Sequence, residues 1–138
     1  MAKTKHAERK TSIRAALRSL GRSGLADLIE RDCAHARRMA ERLAAGPRVT
    51  TLNEVVLNQA LVRFEGPEGD ADGAKGDART RAVIDAVQRD GTCWLGGTTW
   101  MGRAAMRVSV SSWQTTTADI DVSADAILRC LDAVDRVG

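Results

Sequence analysis

A strand-like run in the C-terminal third holds the residue whose type and spacing best suit ligand chemistry. In AAMRVSV, residues 104–110, side chains alternate across a strand, so Arg107 shares a face with Ala105 and Ser109. Arginine offers two parallel donors to a carboxylate or phosphate, and small neighbours leave room for that ligand. The same spacing also fits a surface arginine or one paired with an internal aspartate, and spacing alone favours these two alternatives.

The other residues that could do chemistry form no recognisable catalytic or metal-binding set. His6 lies near the N-terminus, and the arginines around His35 predict a surface position for it. The three cysteines, Cys33, Cys93 and Cys130, are odd in number and lack a C-x-x-C pair, which argues against a disulfide framework and a zinc site. The glycines match neither a P-loop nor a dinucleotide fingerprint. We therefore predict no catalytic residue and no metal site.

Hydrophobic periodicity predicts the elements that must position Arg107. Helical spacing indicates helices over 12–20, from about Ser23 to the Gly46-Pro47 break, over 78–89 and from about 116 onward. Apolar and β-branched runs predict strands at 49–53 and 55–64 and strand-like runs at 92–97 and 104–110. The glycine-rich segment 65–77 predicts a mobile loop, with Asp77 capping the next helix. This order predicts an α+β fold, a small, mostly antiparallel sheet of three to four strands covered by helices.

Composition bounds the class of protein. The 138 residues are 43% hydrophobic and 28% charged, which fits a basic flexible tail, residues 1–11, followed by a single globular domain, residues 12–138. The net charge of +3 comes partly from that tail, which can hold an anionic surface but is more often a solvated end. Basic and acidic residues interleave elsewhere, so nucleic acid is an unlikely partner. No secretory signal or bilayer-spanning run is present, which predicts a cytoplasmic protein without a membrane partner.

One segment concentrates the large aromatic residues. The run TCWLGGTTWMGRAAMRVSVSSW, residues 92–113, contains Trp94, Trp100 and Trp113, although the whole chain has a single Phe and no Tyr. Together with VVLNQALVRF upstream and QTTTADID downstream, it resembles the C-terminal part of the pyridoxal-phosphate-dependent group II amino-acid decarboxylases. That family includes the aromatic-amino-acid, glutamate and tyrosine decarboxylases. The resemblance extends over about residues 13–131.

The resemblance implies a fold and a set of site residues. It implies the small C-terminal domain of an aminotransferase-like enzyme of fold type I, in which Arg107 matches a strand arginine near the substrate carboxylate. It also implies that the segment matching Gly96 to Arg103 is a turn close to the large domain. The tryptophans would pack helices onto the sheet or face that domain. The implied interface residues are Trp94, Gly96, Gly97, Thr98, Thr99, Trp100, Arg103 and Trp113.

The resemblance further implies what this chain lacks. In the family, the lysine that binds the cofactor and the aspartate and histidine around the cofactor ring belong to a large upstream domain. We therefore expect pyridoxal phosphate in the full-length family and none on this chain alone, with an amino-acid substrate only in a complete enzyme. The expected partner is the missing large domain, or a second copy through the exposed docking face. The predicted function is a C-terminal fragment of a carboxy-lyase, inactive alone; the alternative is a stand-alone binding or oligomerisation module.

Overall fold

The computed structural model describes the backbone of residues 2–137 and the side chains of residues 11–137. Its elements are α1 (Ala2–Ala44), β1 (Val49–Thr51), β2 (Gln59–Phe64), α2 (Ala74–Asp90), β3 (Gly96–Trp100), β4 (Arg103–Ser109) and α3 (Thr117–Val137). This order confirms the predicted α+β class. None of the helices in the described part combines the length and apolarity that crossing a bilayer requires.

The chain divides into two compact units, Met1–Arg31 and Asp32–Gly138. The first unit is helical, and inside it Gly21 has a non-helical backbone with φ 65° and ψ −174°. Glycine adopts positive φ at little steric cost, which explains why the break falls where the sequence predicts the end of a first short helix. Helix α1 begins at Ala2, within the predicted tail, whereas the basic side chains of residues 3–10 lie outside the described side chains.

The second unit contains a four-stranded sheet with the strand order β1-β2-β4-β3 and antiparallel pairing throughout. The predicted antiparallel sheet is therefore confirmed, but the run from Val55 to Asn58 is not a strand, and β2 begins only at Gln59. The side chain of Asn53 accounts for this later start of β2. Asn53 Oδ1 accepts a hydrogen bond from the backbone N–H of Leu61 at 2.8 Å, and Asn53 Nδ2 donates to the carbonyl of Gln59 at 3.2 Å.

The core of this unit lies between one face of the sheet and the helices. Strand alternation sends one set of side chains from β2 and β4 into it, and each helix contributes an apolar stripe. Phe64 is the single aromatic side chain among the described core residues. The largest fully buried apolar side chains of the core include Leu43 of α1, Val62 and Phe64 of β2, Val83 and Val87 of α2, Met106 of β4, and Ile127 and Leu131 of α3.

Helix α2 begins one turn before the predicted start at residue 78. Its N-cap is Gly73, in the left-handed conformation with φ 74°. Asp70 accepts hydrogen bonds from the backbone N–H groups of Lys75 and Gly76, at 3.1 and 2.8 Å. These bonds, that from Gly76 above all, lower the pKa of the Asp70 carboxyl. The predicted loop 65–77 is therefore shorter, and Asp77 lies inside the helix and does not cap it.

The predicted start of α3 is confirmed by its capping geometry. The hydroxyl of Thr116 accepts from the backbone N–H of Asp119 at 3.2 Å, and the Asp119 carboxylate accepts from the backbone N–H of Thr116 at 2.8 Å. This reciprocal pair is a capping box, which satisfies donors that the first turn of a helix leaves unpaired.

Candidate functional site

Arg107 lies in the middle of the sheet and points away from the core. In β4 it pairs with Leu61 of β2 on one side and with Gly96 of β3 on the other. Its strand neighbours Met106 and Val108 belong to the core, so alternation turns Arg107 to the outer face. The side chain is exposed, and the guanidinium has no hydrogen-bond or ion-pair partner among the side chains of residues 11–137.

Small residues flank Arg107 on its own face, and open space lies beside it at Gly96, although Ala105 itself is fully buried. Ala105 and Ser109 flank Arg107 on its own strand and face, as the sequence predicts. A Cβ placed on Gly96 would meet no atom within 4 Å, so the neighbouring strand adds no obstruction. Pairing with an internal aspartate is thus absent within the described part of the chain. An anion site and a solvated surface arginine remain as the alternatives.

The segment Gly96–Arg103 contains the turn between two strands that the resemblance implies, but the turn is limited to two residues, which corrects its expected length. Gly96 to Trp100 form strand β3, and only Met101 and Gly102 turn the chain, with φ values of 47° and 79°. Two consecutive positive φ values are typical of the tight two-residue hairpin whose twist matches the flanking strands.

The two adjacent glycines of β3 have different neighbours. Gly97 pairs with Met106 and faces helix α2, where an added Cβ would come within 3.4 Å of Ile84 Cδ1. Gly96 pairs with Arg107 and faces open space. The candidate interface residues therefore lie on one hairpin and the segments beside it: Gly96, Gly97, Thr98, Thr99 and Trp100 in β3, Arg103 at the start of β4, Trp94 before β3 and Trp113 after β4.

All three tryptophans lie outside the core. The exposed fractions are 79% for Trp94, 44% for Trp100 and 70% for Trp113. The expectation that they pack helices onto the sheet is therefore wrong, since the helices rest on aliphatic side chains and Phe64. The other expectation, that they face a missing domain, stays a prediction. Exposed aromatic side chains of this size mark contact surfaces more often than they do ordinary solvated surface.

A buried arginine that the sequence did not reveal lies at the end of β2. Arg63 is fully buried and donates to Glu65 at 2.9 Å, to Asp77 at 2.5 Å, and to the carbonyls of Gly73 and Ala104 at 2.9 Å each. Burial by itself lowers the pKa of Arg63, but the hydrogen bonds to Asp77 and Glu65 outweigh it and leave that pKa raised. The same contact, with Arg63 as the main cause, lowers the pKa of Asp77. This group anchors the glycine-rich loop and has no donor directed to a ligand.

A second buried arginine joins the two helices. Arg79 of α2 forms a bidentate pair with Asp135 of α3, at 2.8 and 2.6 Å, and its hydrogen bond is the main cause that lowers the Asp135 pKa. Its remaining donors reach the carbonyls of Pro47, Arg48 and Glu65. Arg79 is therefore structural as well. The sequence carries only a weak signal for these residues. That signal is an arginine between apolar positions, with a carboxylate far away along the chain.

His35 is buried, which corrects its predicted surface position. His35 lies on the apolar side of α1 next to Ala36 and Met39, and only 5% of the residue is exposed. Its Nε2 lies 3.4 Å from the hydroxyl of Thr117 at the start of α3, and its Nδ1 has no partner within the described residues. The other histidine, His6, lies outside the described side chains.

The described residues do not fit pyridoxal phosphate as a resident cofactor. A lysine that binds this cofactor must lose its proton, which requires a desolvated or cationic setting. The described lysine, Lys75, is exposed in the first turn of α2 near the Asp70 carboxylate. Among the described residues there is also no cluster of three metal-ligating side chains.

The chain has the fold of part of several larger decarboxylases. Oryza sativa TDC, solved with PLP and tryptamine, matches with a TM-score of 0.77 and 17% identity over 85% of this chain and 25% of that one. Catharanthus roseus tryptophan decarboxylase in complex with L-tryptophan matches with a TM-score of 0.75 and 20% identity over 86% and 24%. The glutamate decarboxylase domain of a Vibrio parahaemolyticus transaminase and L-2,4-diaminobutyrate decarboxylase matches with a TM-score of 0.69 and 19% identity over 88% and 25%.

These matches confirm the fold that the resemblance predicts, the α+β small domain of such decarboxylases. The chain spans about a quarter of the length of these solved structures. No protein-family model matches it, and no curated protein matches its sequence.

Proposed function

We propose that this chain is the C-terminal part of a pyridoxal-phosphate-dependent amino-acid decarboxylase and that Arg107 binds the carboxylate of the amino-acid substrate. Two findings support the proposal. The fold matches that of a quarter of several decarboxylases. Arg107, which the sequence resemblance matches to a substrate-binding arginine, lies exposed on the outer face of the sheet.

The observation that carries the proposal is the difference between Arg107 and the two buried arginines. The donors of Arg63 and Arg79 are directed to carboxylates and backbone carbonyls of the chain itself. Arg107 has no such partner within the described residues, and the space beside it at Gly96 is open. A guanidinium in this situation can give both parallel donors to an incoming carboxylate, and that charge-assisted pair is stronger than a neutral hydrogen bond.

The remaining chemistry belongs to a partner domain under this proposal. Pyridoxal phosphate acts in decarboxylation as the electron sink for the carbanion that loss of CO2 leaves behind. Because the described residues do not fit this cofactor, the large domain must supply it, and this chain must dock there. The surface that we propose for docking is the β3–β4 hairpin with the segments beside it, where Trp94, Trp100 and Trp113 are exposed. Without the large domain, this chain has no decarboxylase activity under this proposal.

A stand-alone binding or oligomerisation module remains the second candidate, because the same open face could hold a carboxylate without catalysis. The neighbouring coding sequence separates the two candidates. An upstream reading frame that encodes a lysine-bearing cofactor domain favours a split enzyme, and its absence favours the module.

Reconstitution tests the proposal. The purified chain is mixed with pyridoxal phosphate alone, and then with the separately purified upstream domain and the cofactor. We expect no stoichiometric, borohydride-trappable lysine adduct with the chain alone, and CO2 release from an amino acid only when both parts are present. A stoichiometric adduct at one lysine of this chain, or no gain in activity from adding the chain to the large domain, would overturn the proposal.

A further inference from the structure

A cavity of about 580 Å³ lies within the second unit of the chain, and no residue of the β3–β4 hairpin lines it. Its walls come from the residue before β1, the segment after β2, helix α2 and the end of α3. Three lining residues are cationic, Arg48, Lys75 and Arg79, and one, Asp135, is acidic. Three positive charges against one negative charge leave the lining with a net charge of +2.

Two of the charged residues in this lining satisfy each other. Both carboxylate oxygens of Asp135 accept hydrogen bonds from Arg79, and the remaining donors of Arg79 reach backbone carbonyls. The excess positive charge therefore belongs to Arg48 and Lys75, which are both exposed. A ligand that enters the cavity can reach both cations.

The guanidinium of Arg48 makes no hydrogen bond within the described side chains. Its ion pair among these residues joins Nη2 to Asp135 Oδ1 at 4.0 Å, which is longer than a hydrogen bond. The side chain of Arg48 is 49% exposed. Its donors are therefore available to an anion, unlike those of Arg79.

Arg48 also has a backbone conformation that is unusual for arginine. Its φ of 54° lies in the left-handed region, which a residue other than glycine seldom adopts. Tertiary contacts fix this conformation, because the Arg48 carbonyl accepts from the backbone N–H of Glu65 at 2.8 Å and from Arg79 Nη1 at 3.3 Å. Glycine would fit this position at lower steric cost. Residues held in such conformations cluster at binding sites, so the strain points to a use for the guanidinium.

The other free cation, Lys75, lies in the first turn of α2. The neighbouring Asp70 carboxylate does not line the cavity and accepts hydrogen bonds from the backbone N–H groups of Lys75 and Gly76. Four further lining residues are apolar and mostly small: Pro67, Ala78, Ala82 and Val134. Two cations beside a small apolar wall suit a ligand with a compact anionic group and an apolar body.

We propose that this cavity binds a small organic phosphate monoester, with the phosphate at Arg48 and Lys75 and the apolar body against the wall of α2 and α3. A phosphate monoester carries a charge of about −1.5 to −2 at neutral pH, which matches the net charge of the lining. The Arg48 guanidinium can give two parallel donors to its oxygens. This inference concerns a site separate from Arg107, goes beyond the proposed function and does not rest on it.

Calorimetric titration of the full chain at constant ionic strength measures the binding. Phenyl phosphate, inorganic phosphate, benzoate and phenol serve as probes. We expect saturable binding of one phenyl phosphate with a dissociation constant of about 0.1 to 1 mM. Inorganic phosphate lacks the apolar body and should bind at least about 3-fold more weakly, since less apolar surface is buried. Benzoate carries a single charge and should bind at least about 10-fold more weakly, and phenol should not bind.

Arg48→Gly removes the guanidinium and suits the positive φ, so the variant should fold with an unchanged or higher thermal midpoint. It should nevertheless weaken the binding of phenyl phosphate at least about 10-fold, because a charged partner is lost. Lys75→Gln should weaken binding about 3- to 10-fold for the same reason. The matched control is Arg81→Gln, because the Arg81 side chain lies on α2, is 65% exposed and does not line the cavity.

Arg107→Gln locates the site, because Arg107 is the other arginine that we propose as an anion partner. Both Arg81→Gln and Arg107→Gln should change the dissociation constant of phenyl phosphate by less than about 2-fold. The proposal is overturned if phenyl phosphate shows no saturable binding at tens of millimolar, or if Arg48→Gly and Arg81→Gln have equal effects. Loss of binding in Arg107→Gln but not in Arg48→Gly would also overturn it. Benzoate that binds as tightly as phenyl phosphate would contradict the assignment to a phosphate.

Discussion

Three arginines of the second unit differ in what surrounds their guanidinium groups. Arg63 is fully buried among two carboxylates and two carbonyls, and Arg79 is nearly as buried against Asp135. Arg107 is exposed beside the open position at Gly96. The first two therefore contribute to stability, whereas Arg107 is available to a ligand. Substitutions of Arg63 and Arg79 should therefore lower stability, whereas substitutions of Arg107 should leave stability nearly unchanged.

Replacing Arg63 with methionine should destabilise the isolated chain by about 3 to 5 kcal/mol, because it leaves Glu65 without its cation and Asp77 with only the exposed Arg81 at 3.5 Å. Arg107→Met serves as the control and should change the free energy of unfolding by less than about 0.5 kcal/mol, as is usual for an exposed site. Urea unfolding followed by circular dichroism measures both. Equal losses of stability in the two variants would contradict the assignment of Arg63 as structural.

The carboxyls of Asp77 and Asp135 should make the fold sensitive to acid. Arg63 lowers the pKa of the first and Arg79 that of the second, so each binds its proton more weakly in the folded state than in the unfolded one. The stability they give is therefore fully present above their ordinary pKa of about 4 and is lost as the pH falls through the lowered folded-state values.

We expect the urea midpoint to fall between pH 6 and pH 3. Asp77→Asn should lower the midpoint at pH 6 and make its dependence on pH shallower, because one of the carboxyls whose pKa is lowered in the folded state is gone. A variant with the same pH slope as the wild type would show that Asp77 is not a source of the acid sensitivity.

Sequence patterns revealed Arg107 but missed Arg63, Arg79 and the burial of His35. Strand alternation is local, so the position of Arg107 on a face follows from seven consecutive residues. The partners of Arg63 and Arg79, by contrast, include Asp77 and Asp135, 14 and 56 residues away along the chain. Which buried charges meet depends on tertiary packing, and no local spacing encodes it.

At the scale of elements, the glycine-rich loop and the start of α2 are fixed by contacts with Arg63. Gly76 stands in the first turn of the helix, where an added Cβ would lie 2.6 Å from Arg63 Nη2 and 3.0 Å from the backbone nitrogen of Gly66. Neither atom can move away from an added methyl group, because hydrogen bonds hold the Arg63 guanidinium in place and the Gly66 nitrogen belongs to the backbone. Gly96, in the middle of β3, has no atom in the corresponding space.

Gly76→Ala should therefore destabilise the chain by about 1 to 3 kcal/mol, the usual cost of forcing an extra methyl into packed structure. Gly96→Ala should be neutral or stabilising by up to about 1 kcal/mol, because it restricts the unfolded chain without a clash. Thermal or urea unfolding of both variants measures these changes in the free energy of unfolding. The account of the loop is wrong if the alanine at residue 76 stabilises the protein as a helix-favouring substitution normally would.

The order of the elements and the antiparallel sheet could be predicted from periodicity, but the starts of β2 and α2 could not. Side-chain hydrogen bonds from residues just outside each element set these starts, from Asn53 for β2 and from Asp70 for α2. The turn expected over Gly96–Arg103 is shorter than expected for another reason. Adjacent glycines suggest a turn, yet here one glycine accommodates Ile84 and the other faces open space beside Arg107.

At the scale of the whole molecule, the tryptophans should report docking of the large domain. All three are exposed in this chain, so a water-soluble quencher such as acrylamide should reach each of them. When the large domain covers the hairpin, we expect quenching to fall and the emission of these tryptophans to shift to shorter wavelength. A large domain without tryptophan, or single-tryptophan versions of this chain, isolates the signal. Unchanged quenching in an active complex would show that docking uses another surface.

The role of Arg107 is the central claim, and kcat/KM of the reconstituted pair tests it most directly. Arg107→Ala should lower kcat/KM by about 30- to 1,000-fold, or about 2 to 4 kcal/mol of transition-state stabilisation, because a charged partner of the carboxylate is lost. Arg107→Lys should recover part of the loss, since an ammonium lacks the two parallel donors of the guanidinium. Arg103→Ala, at the start of the same strand, should have a much smaller effect. A value for Arg107→Ala within a factor of about two of the wild type, less than half a kcal/mol, would contradict the proposed role.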